Sequence, residues 1–241
     1  MSASRSRSRA AGYSPERLGA ALAPLLPEWS TARLCVAFSG GVDSTALLAG
    51  LARLAAPPAA LRAVHIDHGL HPQSVRWSAQ CRVLARRLGV PLKVVRVRVE
   101  PRPGGSLEEA ARTARYGALA AGLKRGEVLL TAHHQDDQLE TVLLQLFRGC
   151  GLAGLAAMAP SAPFASSRLL RPLLGFGRAE LAAWVDAQGL AVSEDVSNLD
   201  ERFDRNYLRH RVLPAVRARW PGAAGAVART ARLAAEGQQL L

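Results

Sequence analysis

Lysine is almost missing from this chain. Lys93 and Lys124 are its only two, so the excess of 31 basic over 19 acidic residues, a net charge of +12, is carried by arginine. A basic balance of that size favours a polyanionic partner, because neutralising phosphates releases their bound counterions. Aromatic residues are scarce too, at 5%, which argues against a platform on which single-stranded bases stack. No apolar run reaches the roughly 18 residues that would cross a bilayer, so no membrane partner is expected. The three cysteines, Cys35, Cys81 and Cys150, lie far apart with no Cys-x-x-Cys pair. That argues against a zinc ribbon or an iron–sulfur ligand set and for a reducing, cytoplasmic setting. The start alternates Ser and Arg, with Arg5, Arg7 and Arg9 and no apolar stretch, so it is not a secretory signal. Residues 1–12 read instead as a disordered basic arm.

What is present is enough apolar sequence for a core: 241 residues, 49% hydrophobic, fit one large domain or a domain with a small appendage. After a lead-in helix at 13–26, short apolar runs at 34–38, 61–67, 92–99 and 128–132 read as strands. Helical patterns alternate with them at 44–54, 74–88, 106–124 and 136–147, bounded by Pro57-Pro58, Gly89 and Gly126. This alternation predicts an α/β fold, a doubly wound, mainly parallel, Rossmann-like sheet with helices on both faces. The alternate arginines of 92–99 put that strand near an edge. After Gly149 the texture turns to Gly, Ala and Pro through Ala165. A strand at 167–174, a helix at 178–188, a loop with Asp195, Asn198 and Asp200, and a basic helix at 204–212 are then expected. An Ala-rich helical appendage, broken at Pro221-Gly222, ends the chain.

The stretch Ser39-Gly40-Gly41-Val42-Asp43-Ser44 joins the first strand to the first helix of the sheet. A glycine turn at a helix N-terminus aims backbone N–H groups and the positive end of the helix dipole at one spot, which suits phosphate. Gly40 and Gly41 permit close approach, and Ser39 and Ser44 add hydroxyls. A Walker A loop would end in Gly-Lys-Ser/Thr, yet no lysine is there. Asp43 stands in its place, and a carboxylate beside phosphates implies a divalent cation between them, Mg²⁺. An ordinary capped turn would need neither two glycines nor both hydroxyls.

Five of the six histidines fall in two stretches, residues 65–71 and 133–137, each with aspartates. Histidine with paired carboxylates is also what a metal-dependent phosphohydrolase would use, and that reading stays beside the nucleotide one. A non-catalytic RNA-binding module is a third. Glu140 is one helical turn beyond Asp136 and Asp137, hence on their face.

The loop resembles the pyrophosphate-binding loop of the N-type ATP pyrophosphatases, which cleave ATP to AMP and pyrophosphate to adenylate a substrate. With residues 64–70, 108–116, 131–141, 148–155, 171–174, 194–198 and 204–210, the chain from about Leu34 to Pro214 resembles the tRNA(Ile)-lysidine synthetases. The resemblance implies ATP-dependent joining of free L-lysine to the wobble cytidine of tRNA(Ile), anticodon CAU, through an adenylated cytidine. Another adenylating or tRNA-modifying enzyme with the same loop is the alternative. It further implies nucleotide binding by Ser39, Gly40, Gly41, Val42, Asp43, Ser44, His65 and Asp67. Asp43 is the implied Mg²⁺ ligand with Asp137 as helper, and His133 or Glu140 would take the lysine proton. Arg112, Arg115, Arg148, Gly149, Gly151, Arg205, Asn206 and Arg209 are expected at RNA or substrate, with 149–154 a mobile loop. The catalytic domain would cover residues 13–214, with a helical tail or the start of a linker at 215–241. The tRNA-gripping C-terminal domains of that family would be absent, so this chain reads as a fragment, a compact member or a relative with altered RNA recognition.

Overall fold

The computed structural model describes residues 12–100, 106–193 and 200–240. The basic arm at Arg5, Arg7 and Arg9, the loop at 102–105 and the resemblance at 194–198 lie outside the described residues. Four strands alternate with helices as the apolar runs require: β1 (Arg33–Ala37), α2 (Val42–Ala52), β2 (Ala60–Asp67), α3 (Ser74–Arg87), β3 (Leu92–Arg96), α4 (Leu107–Gly122), β4 (Glu127–Leu130) and α5 (Gln135–Phe147). A shorter lead-in helix, α1 (Pro15–Leu22), precedes them, capped by the Ser14 hydroxyl. The sheet order is β3-β2-β1-β4-β6-β5. All neighbours are parallel except β5 (Ser161–Phe164) and β6 (Ser167–Leu170), an antiparallel hairpin at one edge. β3 is the other edge, as its arginines indicated. The expected strand at 167–174 stops at Leu170, and β5 was not foreseen. It is four residues long and carries Pro163, which only an edge strand tolerates.

Side chains alternate between the two faces of the sheet. Leu34, Val36, Phe38 and Leu130 pack toward α1, α2, α3 and α7 (Arg178–Ala187), while Cys35, Val64, Ile66 and Leu129 pack with Leu119 of α4. α2 is buried along almost its whole length, from Ser44 to Leu51. Tyr13 pins it, donating its hydroxyl to Ala46 O at 2.7 Å.

The chain leaves β1 toward β2 on one side and returns to β4 on the other. The crevice at the carboxyl ends of β1 and β4 is therefore the topological switch point, where open α/β sheets bind ligands. The short α6 (Leu152–Leu155) replaces the expected loop at 149–154. The basic helix at 204–212 is part of a longer rod: α8 (Asp204–Tyr207), a π-helical turn at Leu208–Val212, and α9 (Leu213–Arg219). A boundary at residue 214 thus falls inside a helix, and the closing α10 (Ala223–Leu240) packs against α5 and α6. No helix among the described residues is long and apolar enough to cross a membrane.

Candidate active site

On one side of the crevice is the glycine turn. Gly40 takes φ +86°, in the left-handed region that glycine alone adopts cheaply. A Cβ on Gly40 would come within 2.6 Å of Cys81 Sγ. The turn is knitted by hydroxyls: Ser39 and Ser44 share a bond at 2.9 Å, and Ser44 Oγ accepts Gly40 N–H at 3.1 Å. From behind, Ser193 N–H donates to Gly40 O at 2.8 Å. Gly41 is the N-cap of α2 and supplies no side-chain cap, so the first-turn N–H groups of α2 face the crevice. His65, at the end of β2, donates its Nδ1–H to Phe38 O at 2.9 Å, and burial lowers its pKa, so it braces the residue before the turn as a neutral ring. Asp67 Oδ1 accepts Gly69 N–H at 2.9 Å.

The other side comes from the end of β4 and the start of α5. Thr131 and His133 share the face turned toward α4, where their side chains bond at 2.9 Å. The next residue, His134, points the opposite way, onto α2. Its Nε2 lies 3.4 Å from Asp43 Oδ2 and 3.4 Å from Asp137 Oδ2, with Nδ1 3.7 Å from Asp136 Oδ2. The ring is 2% exposed. Burial opposes its charge, but Asp43, Asp137 and Asp136 outweigh burial and hold its pKa above the ordinary value. His133 is the reverse case: burial, with Arg171, Arg112 and Arg205 nearby, pushes it down to about 3 against the pull of Asp137. Of the two neighbouring histidines it is His134, not singled out from the sequence, that meets Asp43 of the glycine turn. The signal was available in the two-residue alternation that also puts Leu130 and Ala132 on the α2 side.

Residues 16–216 match the family model described as the PP-loop domain. The chain belongs to this family. Membership implies use of ATP. A Pseudomonas aeruginosa protein named tRNA(Ile)-lysidine synthase is 52% identical over 228 residues, 93% of this chain and 50% of that protein. One of the same name from Alkalilimnicola ehrlichii is 51% identical over 95% of this chain and 51% of its own length. The chain spans about half the length of the curated relatives it matches. Among solved structures, the U34-tRNA thiolase NcsA from Methanococcus maripaludis with its [4Fe-4S] cluster is similar with a TM-score of 0.73 and 14% identity, over 91% of this chain and 78% of that one. That likeness shows the fold alone.

The PP-loop faces a cluster of ion pairs along α5. Arg209, from the π-helical turn, donates to both oxygens of Glu140 at 2.5 and 2.8 Å and to Asp137 Oδ1 at 3.1 Å. Arg205 adds a contact to Glu140 at 3.3 Å and donates to Thr141 at 3.0 Å. Arg217 of α9 donates to Asp136 Oδ1 at 2.8 Å, and Arg178 N–H to Asp136 Oδ2 at 2.9 Å. One guanidinium, Arg209, thus bridges Glu140 and Asp137, while Asp136 one turn before Glu140 is held by Arg217 and Arg178. Arg205 and Arg209 share a face, as their spacing predicts, but it is turned onto α5. Asn206 is buried and donates to Asp200 O at 3.0 Å. Arg205, Asn206 and Arg209, expected at RNA or substrate, thus all make contacts within the fold. Arg112 and Arg115 both lie over the Tyr116 ring, at 4.8 and 5.6 Å. Arg148 reaches Asp204 at 3.5 Å on the surface. Gly149, with φ +72°, follows the Arg148 C-cap of α5, and Gly151 is the N-cap of α6.

Asp43 is the residue that fits a cation: its Oδ1 is buried without a hydrogen-bond partner. Asp137 fits less well, since Arg209 takes one oxygen and His134 N–H, at 3.0 Å, takes the other. Among the described residues no group of three or more His, Cys, Asp and Glu could hold a metal ion. A phosphohydrolase with a permanent two-metal centre finds no ligand set there, whereas Mg²⁺ bound with substrate phosphates needs only one or two carboxylates.

Proposed function

We propose that this chain carries the catalytic part of an enzyme that uses ATP to join lysine to the wobble cytidine of tRNA(Ile). The reading is supported above all by identity near one half, across nearly the whole chain, to proteins named tRNA(Ile)-lysidine synthase. The geometry agrees with it. The PP-loop, with Ser39, Gly40, Gly41, Val42 and Ser44, would hold the β- and γ-phosphates, and His65 and Asp67 flank the same crevice. The cytidine carbonyl oxygen attacks the α-phosphorus and pyrophosphate leaves. The lysine amine then attacks the activated ring carbon, and AMP leaves with the former carbonyl oxygen. An unactivated cytosine carbonyl holds its oxygen too tightly for that exchange.

Asp43 would hold Mg²⁺ through Oδ1, which accepts no hydrogen bond, and the ion when bound would offset the phosphate charge as pyrophosphate departs. Free lysine is charged near neutrality, so a group must accept a proton before attack. His133, on the α4 side of the crevice beside Arg112 and Arg171, or Glu140, whose oxygens Arg209 binds, is the candidate for that contact. Arg112, Arg115 and Arg148 would meet the RNA, and the setting is cytoplasmic. Incubation with ATP, Mg²⁺, labelled lysine and bulk tRNA tests this directly. Label should enter tRNA only when all are present, and release of AMP should depend on both lysine and tRNA. Lysine that never enters any tRNA would remove the proposal.

A further inference from the structure

Asp43 has two oxygens in unlike surroundings. Oδ2 lies 3.4 Å from His134 Nε2, while Oδ1 is buried, accepts no hydrogen bond and has only the exposed Arg178 guanidinium at 3.9 Å. The outer torsion of an aspartate is soft, so a free carboxylate swings between orientations unless one oxygen is held. His134 can hold it because the ring is itself fixed. The residue is 2% exposed, its backbone N–H is tied to Asp137 Oδ2 at 3.0 Å, and its ring Nδ1, which makes no hydrogen bond, faces Asp136 Oδ2 across 3.7 Å. Asp136 is locked in turn by Arg217 and by the N–H of Arg178. A line of contacts thus runs from α9 through Asp136 and His134 to Asp43. The ring also stands between Asp43 and Asp137, 3.4 Å from each, and keeps two carboxylates from repelling one another.

We propose that His134 is a positioning residue for Asp43, holding Oδ2 so that Oδ1 faces the phosphates and their cation, with Asp136 and Arg217 keeping the ring in place. The inference rests on the PP-loop as the nucleotide-phosphate site, and it needs neither lysine nor RNA. Outer partners of metal ligands of this kind change metal affinity by about 10–100-fold when removed.

The test is equilibrium binding of α,β-methylene-ATP to the full chain by calorimetry, repeated over a series of Mg²⁺ concentrations. His134→Ala should raise the Mg²⁺ needed for half-maximal binding by about tenfold, with binding at zero Mg²⁺ unchanged. His134→Gln, which can still donate to Asp43, should recover most of that loss. Arg217→Met should shift the Mg²⁺ requirement the same way by about threefold, and adding it to His134→Ala should change nothing further, because both act through one contact line. A wild-type Mg²⁺ requirement in folded His134→Ala, or a Gln variant as impaired as Ala, would overturn the inference. Should His134→Ala fail to fold, a wild-type requirement in Arg217→Met overturns it. A wild-type chain that does not bind the analogue would overturn both this inference and the phosphate-site reading. Failure of lysine to enter tRNA touches only the functional proposal.

Discussion

The PP-loop is tied together by groups two to five residues apart, Ser39, Gly40, Gly41 and Ser44. The acids of α5 are tied instead to guanidinium groups 65 to 81 residues further along the chain. The first structure needs only strand, turn and helix N-terminus in sequence. The second exists only once the α8–α9 rod has docked, and it burdens the fold with buried charge that must stay paired. Local backbone geometry therefore makes most of the glycine turn, with Ser193 bracing it from behind, while long-range ion pairs set the carboxylates of α5.

The sharpest way to break this comparison is Arg209→Met, which leaves Glu140 and Asp137 short of a partner. The expected loss is about 2–4 kcal/mol by urea denaturation, below the full cost of breaking a buried pair because Arg209 keeps 32% side-chain exposure. Gly40→Ala comes next. A left-handed φ at a non-glycine residue costs about 1–2 kcal/mol, and Cys81 and Ser193 must also give way, so melting should fall and α,β-methylene-ATP binding should weaken at least about tenfold. Gly41→Ala is the contrasting case, with φ −76° and no contact closer than 3.6 Å. It should keep its stability while binding of the analogue drops, which calorimetry and melting together separate.

A third prediction uses an ion pair remote from the site. Burial opposes the charge of Glu127, but Arg62, at 2.6 and 2.5 Å, and Lys124 N–H, at 2.7 Å, hold its pKa below the usual carboxylate value. A lowered pKa in the folded state gives stability that is complete above the unfolded value and is lost as pH falls through the folded one. Denaturation curves between pH 7 and 3 should show that loss, and Glu127→Gln should remove this part of the pH dependence. The smallest effect belongs to Tyr13→Phe, which deletes one hydrogen bond to α2. It should cost about 1 kcal/mol, a melting shift of about 2–4 °C for a chain of this size.

Much of the architecture was legible because it is local. Apolar runs bounded by Gly and Pro marked four strands, and the helices between them begin and end within a few residues of expectation. The misses share a cause. β5 is too short, and Pro163 too unlike a strand residue, for its pattern to stand out without β6 beside it. The stretch after Gly149 looked like a loop because Gly and Ala dominate it, yet α5 and α10 give α6 something to pack on. The π-helical turn at Leu208–Val212 has no composition of its own. It lies in the rod that brings Arg205, Arg209 and Arg217 onto three acids of one helix.

By itself the sequence determined the glycine turn, the strands that flank it and the presence of an acid where other phosphate loops carry lysine, since each depends on neighbours in the chain. Only the tertiary structure decided which face of the β4 end meets α2, which sets His134 against Asp43, and that Arg209 turns inward. Those choices follow from how the helices dock on the sheet and on one another, and contacts across the fold are not written in any one stretch of residues.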